Sequence, residues 1–169
     1  MSGTKRALLV GCILLTTVAL YVLIGVGTNY EVTEEDLSYA NEARAHTDQM
    51  AEGFTLVFDE LTKAQANRSY MSSQPFNEAS GRGLYMVTSS VDELEAMARP
   101  SGKMGEVHDY LLKAGEQYRL MVDSYIEGID NRDTNAIETA TDHLEVGDSY
   151  ARKASELIDE MTSEMGTNK

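Results

Sequence analysis

The chain has 169 residues, a formal net charge of −14 at pH 7 and a single cysteine. This length fits one domain with an anchor better than a multidomain enzyme. The acidic balance argues against nucleic acid as a partner, because binding of phosphates needs clustered Lys and Arg. One cysteine excludes an intramolecular disulfide and a cysteine-based zinc site.

The N-terminal segment begins with two basic residues and continues into an apolar run. Every residue of 7–27 is apolar, Gly, Thr or Tyr. As a helix this run would reach roughly 30 Å, the thickness of the hydrocarbon core of a bilayer. Lys5 and Arg6 precede it, whereas acidic residues follow from Glu31 onward. Because positive charge stays in the cytoplasm, we predict an uncleaved signal anchor in the plasma membrane, single-pass, with residues 1–6 cytoplasmic and the C-terminal part outside.

Three other interpretations of this segment stay open. A cleaved signal peptide would use the small residues Gly-Val-Gly at 25–27, ahead of Thr28. A lipoprotein signal would use Cys12, since Leu-Val-Gly-Cys at 9–12 resembles a lipobox, although the apolar run continues past it. A buried helix of a soluble protein is the third alternative.

The rest of the sequence has a helical pattern. Apolar residues recur every three or four positions in four segments, and no alternating strand pattern interrupts them. We therefore predict an all-α protein, in which a single N-terminal transmembrane helix is followed by an up-down-up-down four-helix bundle. The predicted segments are a linker at 28–32, a bundle at 33–166 with helices at about 33–66, 75–98, 103–130 and 134–165, and a tail at 167–169.

Local signals mark the ends of the predicted helices. Thr33 and Asp36 form a capping-box pattern at the start of the first helix. Ser101 follows a proline and can cap the third helix, and Asp133 is a suitable N-cap for the fourth.

The stretch 67–74 is polar and lacks periodicity, so we predict a loop there. This loop contains an Asn-Arg-Ser sequon, which makes Asn67 a candidate acceptor for N-glycosylation. In the second helix, Gly81 and Gly83 each cost up to about 1 kcal/mol of helix stability relative to Ala. They indicate either a frayed start of the helix or a close helix crossing.

The motifs of the common enzyme classes are missing from the sequence. The residues three positions before the histidines are Ala43, Gly105 and Ala140, so the Glu-x-x-His motif of di-iron bundles is absent. The sequence also lacks Cys-x-x-Cys-His, a P-loop, a dinucleotide fingerprint and a nucleophile elbow. We therefore predict a protein that is not an enzyme, with no cofactor and no metal site.

The three histidines, His46, His108 and His143, each lie within two residues of an acidic residue. Such a histidine is expected on a helix surface, with a pKa raised by the neighbouring carboxylate. The alternative is zinc or copper bound by His together with Asp or Glu. The best candidate for that alternative is His143 with Asp142 and Glu145.

Tyrosine is the dominant aromatic residue, with nine copies in the chain. Five of them could approach one another within the predicted bundle: Tyr85, Tyr110, Tyr118, Tyr125 and Tyr150. Tyrosine buries a ring while offering a hydroxyl, so it suits both protein interfaces and partly polar pockets. Packing in the core is the ordinary interpretation of these residues, and a ligand pocket or an interface is the specific one.

The predicted layout resembles the exported four-helix-bundle sensing domains of bacterial and archaeal transmembrane receptors. Those receptors continue into a cytoplasmic signalling domain, whereas here only residues 1–6 would face the cytoplasm, so we do not assign the chain to them. We expect a membrane-anchored, extracytoplasmic interaction module that binds a protein partner or itself. The alternative is an accessory binding protein that holds a small ligand or a cation within the bundle.

Overall fold

The computed structural model describes residues 33–163, and their secondary structure is entirely helical. The elements are α1 (Glu34–Ala66), a short 3₁₀ helix (Arg68–Ser72), α2 (Gln74–Ala96), α3 (Gly102–Asn131) and α4 (Thr134–Ser163). The predictions of an all-α bundle and of four helices are thus confirmed for these residues. The prediction of a plain loop at 67–74 was wrong, because most of that stretch forms the 3₁₀ helix.

The predicted membrane anchor, residues 7–27, lies outside the described residues, as do the linker and the tail. Within 33–163, none of the helices combines the length and the apolar character needed to cross a membrane. The anchor and its orientation therefore stay predictions.

Capping at the helix starts follows the predicted signals with one exception. Thr33 Oγ1 accepts a hydrogen bond from the Asp36 backbone amide, and an Asp36 carboxylate oxygen accepts one from the Thr33 amide, both at 3.1 Å. Asp133 Oδ1 accepts from the backbone amide of Asn135 at 2.8 Å, ahead of α4. Ser101 does precede α3, but its side chain makes no capping bond, so that part of the prediction was wrong.

The apolar stripes of the four helices meet in one core. The side chains buried most completely are large ones from every helix: Phe54, Phe76, Leu94, Tyr118, Ile158 and Met161. Backbones approach most closely within two hairpins, α1–α2 and α3–α4, and less closely between α2 and α3. Helices α1 and α4 stand farther apart than either hairpin pair. The bundle therefore consists of two tight hairpins that meet along a looser boundary.

Two glycines set the spacing of the first hairpin. A Cβ atom built on Gly53 of α1 would lie 2.6 Å from the carbonyl oxygen of Gly83 on α2, and a Cβ on Gly83 would lie 2.6 Å from that of Gly53. The two backbones therefore touch at this crossing. Of the two explanations offered for Gly83, the close crossing is the one that the structure shows. A Cβ on Gly81, in contrast, would meet nothing within 4 Å.

Candidate ligand cavity

A partly enclosed cavity of about 240 Å³ lies between the four helices. It occupies the end of the bundle formed by the second half of α1 and the first half of α4, away from residue 33. Its walls are mostly apolar and come from all four helices and the 3₁₀ helix, including Phe54, Leu61, Met71, Leu84, Met121 and Leu144. Such a concave, apolar space is the usual form of a small-molecule site.

The spacing of the helices and one small side chain leave room for this cavity. Helices α1 and α4 both line it and stand apart, and position 140 on α4 carries only alanine. The wall on the α1 side is aromatic. The ring of Phe54 stacks on Phe58 with centroids 6.2 Å apart, and it meets Tyr118 edge-on at 5.1 Å. Aromatic pairs of this geometry give the wall a fixed shape.

The 3₁₀ helix brings Met71 to the cavity and is held against α1 by a buried carboxylate. Glu60 accepts hydrogen bonds from the Tyr70 hydroxyl at 2.6 Å and from Lys63 Nζ at 2.5 Å. The bonds from Lys63 and Tyr70 lower the pKa of Glu60. Met71 itself is 36% exposed and lines the cavity. Because methionine is unbranched and adapts its shape, it suits the edge of a binding site.

Tyr125 supplies the buried polar group of the cavity wall. Its side chain is 8% exposed, and its hydroxyl has no hydrogen-bond partner in the part of the chain that the structure describes. Burial raises the pKa of Tyr125 to about 12, so the group is a neutral hydroxyl near pH 7. A buried hydroxyl without a partner costs about 1–3 kcal/mol.

A second, more open groove of about 510 Å³ lies on the outer side of the same wall, between α2 and α3. Leu84, Tyr125 and Ile129 line both the cavity and this groove. Farther along the α2–α3 boundary, Arg119 bridges the two helices by ion pairs to Asp92 at 2.6 Å and to Glu95 at 3.0 Å. The groove is therefore confined to the half of the boundary that borders the cavity.

The five tyrosines singled out from the sequence do not share one pocket. Tyr85 and Tyr125 come together at the α2–α3 groove. Tyr110 and Tyr150 stack on the α3–α4 surface, with ring centroids 6.3 Å apart. Tyr118 is buried in the core, where core packing is the correct interpretation. The structure thus divides the set into a pair at the groove, a pair on the surface and one core residue.

Tyr118 leads to a buried carboxylate that the sequence analysis missed. Its hydroxyl donates to Asp148 Oδ1 at 3.0 Å, and Asp148 is only 5% exposed. Burial raises the pKa of Asp148 to about 7, although the Tyr118 hydrogen bond and the nearby Arg152 act against this shift. In the sequence, Asp148 lies next to Gly147 on the apolar stripe of α4, and this position was the signal for its burial. The ring of Tyr118 packs against Gly147, where a Cβ atom would lie 2.5 Å from it.

The histidines do not assemble a metal site in the described residues. His108 is 3% exposed, with Nδ1 3.1 Å from the Tyr39 hydroxyl, and burial lowers the pKa of His108. The prediction of a surface residue with a raised pKa was therefore wrong for His108, because loss of hydration outweighs the neighbouring Asp109. His143 Nδ1 lies 3.0 Å from Gln117 Oε1. Among residues 33–163, no group of three or more His, Cys, Asp or Glu side chains could hold a metal ion.

Asn67 is exposed and caps the 3₁₀ helix. Its Oδ1 atom accepts hydrogen bonds from the backbone amide of Ser69 at 3.2 Å and from Ser69 Oγ at 2.7 Å. The sequon is therefore accessible, and glycosylation of Asn67 stays a prediction.

No family model, curated protein or solved structure matches the chain. Its fold and its cavity characterise the protein as an all-α four-helix bundle with an apolar cavity at one end.

Proposed function

We propose that the bundle is a binding module for a small, largely apolar ligand that fills the cavity. The observation that carries this proposal is an apolar space bounded by side chains of all four helices. An apolar cavity of about 150 Å³ accommodates benzene. By proportion, the 240 Å³ found here suits a ligand of about ten carbon atoms, such as a bicyclic aromatic or a medium-length alkyl chain.

The proposed site faces away from the predicted anchor. Helix α1 begins at Glu34, shortly after the anchor predicted at 7–27, and the cavity lies at the opposite end of that helix. In this proposal the bundle projects from the outer face of the plasma membrane. The ligand would then reach the cavity from the surrounding medium rather than from the bilayer.

The lining of the cavity supports binding rather than catalysis. Apart from apolar side chains it contains Gln65, Tyr125 and Thr141. Thr141 Oγ1 already donates to the backbone carbonyl of Ile137 at 3.0 Å. A threonine or tyrosine hydroxyl needs an adjacent base to become a nucleophile, and the described residues that line the cavity include no carboxylate, histidine, lysine or cysteine. The proposed module therefore holds its ligand unchanged.

Replacing Ala140 with leucine should block the proposed site. Ala140 lines the cavity, so the added carbons would enter open space and should change the free energy of unfolding by less than about 1 kcal/mol. Naphthalene, used as a probe, should raise the melting temperature of the wild-type full chain, because binding to the native state stabilises it. It should not raise that of the Ala140→Leu variant.

Ala154 provides the matched control for this test. It is a fully buried alanine of the same helix and does not line the cavity. Ala154→Leu should therefore overpack the core and cost about 1–3 kcal/mol. Naphthalene should still stabilise this variant. An equal response of the wild type and Ala140→Leu to naphthalene would reject the cavity as its binding site.

Binding of a protein partner, or of a second copy of the chain, is the second candidate function. The observation that favours it is a pair of exposed apolar side chains at the α2–α3 groove, Tyr85 at 70% and Ile126 at 44% exposure. If this face associates, Tyr85→Ala should lower the mass of the complex measured by sedimentation of the full chain. Val146→Ala, an exposed apolar position on α4, should leave the mass unchanged. No change in either variant would argue against this face.

A further inference from the structure

The α2–α3 groove has an apolar floor and an exposed apolar residue on each wall. Buried side chains of both helices form the floor, and the exposed residues are Tyr85 on α2 and Ile126 on α3. By the rise of a helix, the lining residues extend over about 18 Å on α2, from 76 to 88, and over about 12 Å on α3, from 122 to 130. The groove therefore matches about two to three turns of a third helix in length.

Gly81 is exposed, lies within α2 and lines the groove. Glycine is a poor helix former, and a close approach of another backbone is a common reason to find it inside a helix. The other described glycines inside helices each have a close neighbour, because an added Cβ atom would lie 3.0 Å or less from another atom: Gly53, Gly83, Gly105, Gly115, Gly128 and Gly147. At Gly81 an added Cβ would meet nothing within 4 Å. Packing among residues 33–163 thus does not explain Gly81, whereas a partner seated closely in the groove would.

The charged side chains that line the groove are both acidic. Asp123 and Asp130 are exposed and lie about two turns apart on α3. Neither forms an ion pair with another residue of 33–163, whereas the acidic residues farther along the same boundary are paired with Arg119. Arg82 is exposed on α2 but does not line the groove. The groove therefore carries negative charge that a cationic partner would neutralise.

The groove fits a helix of another protein better than an extended segment or a second copy of this chain. An extended peptide binds by adding a strand to the free edge of a sheet, and residues 33–163 form helices only. Two copies that met through this groove would bring two acidic surfaces together, and like charges that face each other across an interface oppose association.

From these observations we infer that the groove docks a basic amphipathic helix of another protein. The apolar stripe of that helix packs between Tyr85 and Ile126, and its backbone lies against Gly81. Its lysine or arginine side chains lie beside Asp123 and Asp130. This inference rests on the second candidate function, because it names the class of partner for that face, and it does not depend on the cavity.

The first test uses a synthetic peptide that contains two copies of the heptad Leu-Lys-Lys-Leu-Leu-Lys-Lys. As a helix this peptide is amphipathic and about 21 Å long. An acidic counterpart carries glutamate at every lysine position. Each peptide, labelled with fluorescein, is titrated with the full chain in phosphatidylcholine nanodiscs, and the anisotropy change seen with empty nanodiscs is subtracted. We expect the basic peptide to bind at least about tenfold more tightly than the acidic one, with an affinity that falls as salt is added.

The second test blocks the close approach at Gly81. Gly81→Leu should weaken binding of the basic peptide by at least about tenfold, because the new side chain holds the peptide backbone away from α2. The variant should melt at or above the temperature of the wild type, since its Cβ atom enters open space and leucine is the better helix former. Thr55→Leu is the control at an exposed position of α1 outside the groove, and it should bind the peptide as the wild type does.

The third test removes the charge of the groove. Asp123→Asn combined with Asp130→Asn should weaken binding of the basic peptide by about tenfold and reduce its dependence on salt. Glu138→Gln combined with Asp142→Asn removes the same charge from exposed positions of α4. This control should change the affinity by less than about twofold, because those positions lie outside the groove.

The outcomes separate this inference from the second candidate function. Equal binding of the basic and acidic peptides would overturn the inference, as would an unchanged affinity in Gly81→Leu or in the aspartate double variant. Self-association that depends on Tyr85, without binding of the basic peptide, would overturn the inference and leave the second candidate function standing. If neither self-association nor peptide binding occurs, both fail. Preference for the basic peptide, lost in Gly81→Leu and in the aspartate double variant, supports both.

Discussion

Gly53→Ala should destabilise the bundle by about 1–2 kcal/mol, because an overpacking cost of up to about 3 kcal/mol outweighs a gain of about 1 kcal/mol in helix propensity. The new Cβ atom would lie 2.6 Å from the carbonyl oxygen of Gly83 and 3.0 Å from Met86 Cβ. A backbone oxygen cannot rotate away as a side chain can, so α1 and α2 must move apart and lose contacts along their whole interface. Urea denaturation followed by far-UV circular dichroism measures this effect without a tryptophan, which the chain lacks.

Gly81→Ala is the matched control for this prediction. Gly81 is also an interior glycine of a helix, but a Cβ there would meet nothing within 4 Å. The substitution should therefore stabilise the protein by up to about 1 kcal/mol, through the higher helix propensity of alanine. The two substitutions are chemically identical, and their effects should have opposite signs. Similar midpoints for both variants would show that α1 and α2 do not touch at Gly53.

The second large effect should come from Asp148 and depend on pH. The pKa of this carboxyl is about 7 in the folded protein, against 3.8 for an ordinary aspartate. The folded state thus binds the proton more tightly than the unfolded chain does. The stability that protonated Asp148 confers is complete below about pH 4 and is lost as the pH rises through 7. One pKa unit corresponds to about 1.4 kcal/mol. Ionisation of the buried Asp148 should therefore lower the free energy of unfolding by about 2–3 kcal/mol between about pH 5 and pH 8.

Asp148→Asn should remove this pH-dependent loss of stability. The amide oxygen of asparagine can still accept the hydrogen bond from Tyr118, but the side chain has no charge to bury. Relative to the wild type, the variant should gain about 2–3 kcal/mol of unfolding free energy between pH 5 and pH 8. Asp142→Asn removes one exposed negative charge from the same helix, so it controls for the general repulsion in this acidic protein. If the difference in unfolding free energy between Asp148→Asn and the wild type did not change with pH, the prediction would be contradicted.

The helices could be predicted from the sequence because each carries its own signals. The apolar spacing, the Thr33–Asp36 capping box and the break at Pro100 are all local, and helix starts and ends lie within two residues of the predicted positions where both are described. The 3₁₀ helix was missed because it lacks periodicity. It is held by a tertiary contact, the hydrogen bond from Tyr70 to Glu60.

The candidate site was largely beyond prediction because it depends on distances between helices. Tyr125 could be singled out as an amphipathic residue, but not the fact that its hydroxyl lacks a partner. His108 and Asp148 were missed for a related reason. Polar residues at the edge of an apolar stripe are usually solvated, and only packing shows which of them become buried.

The arrangement in two hairpins also bears on how quickly the chain reaches its native state. Each helix touches mainly the helix that follows or precedes it in sequence, so most native contacts join segments that are already near each other. Proteins dominated by such local contacts fold in microseconds to milliseconds, because little loop-closure entropy is lost before contacts form. Each hairpin can assemble by itself, and the meeting of α2 with α3 then completes the bundle.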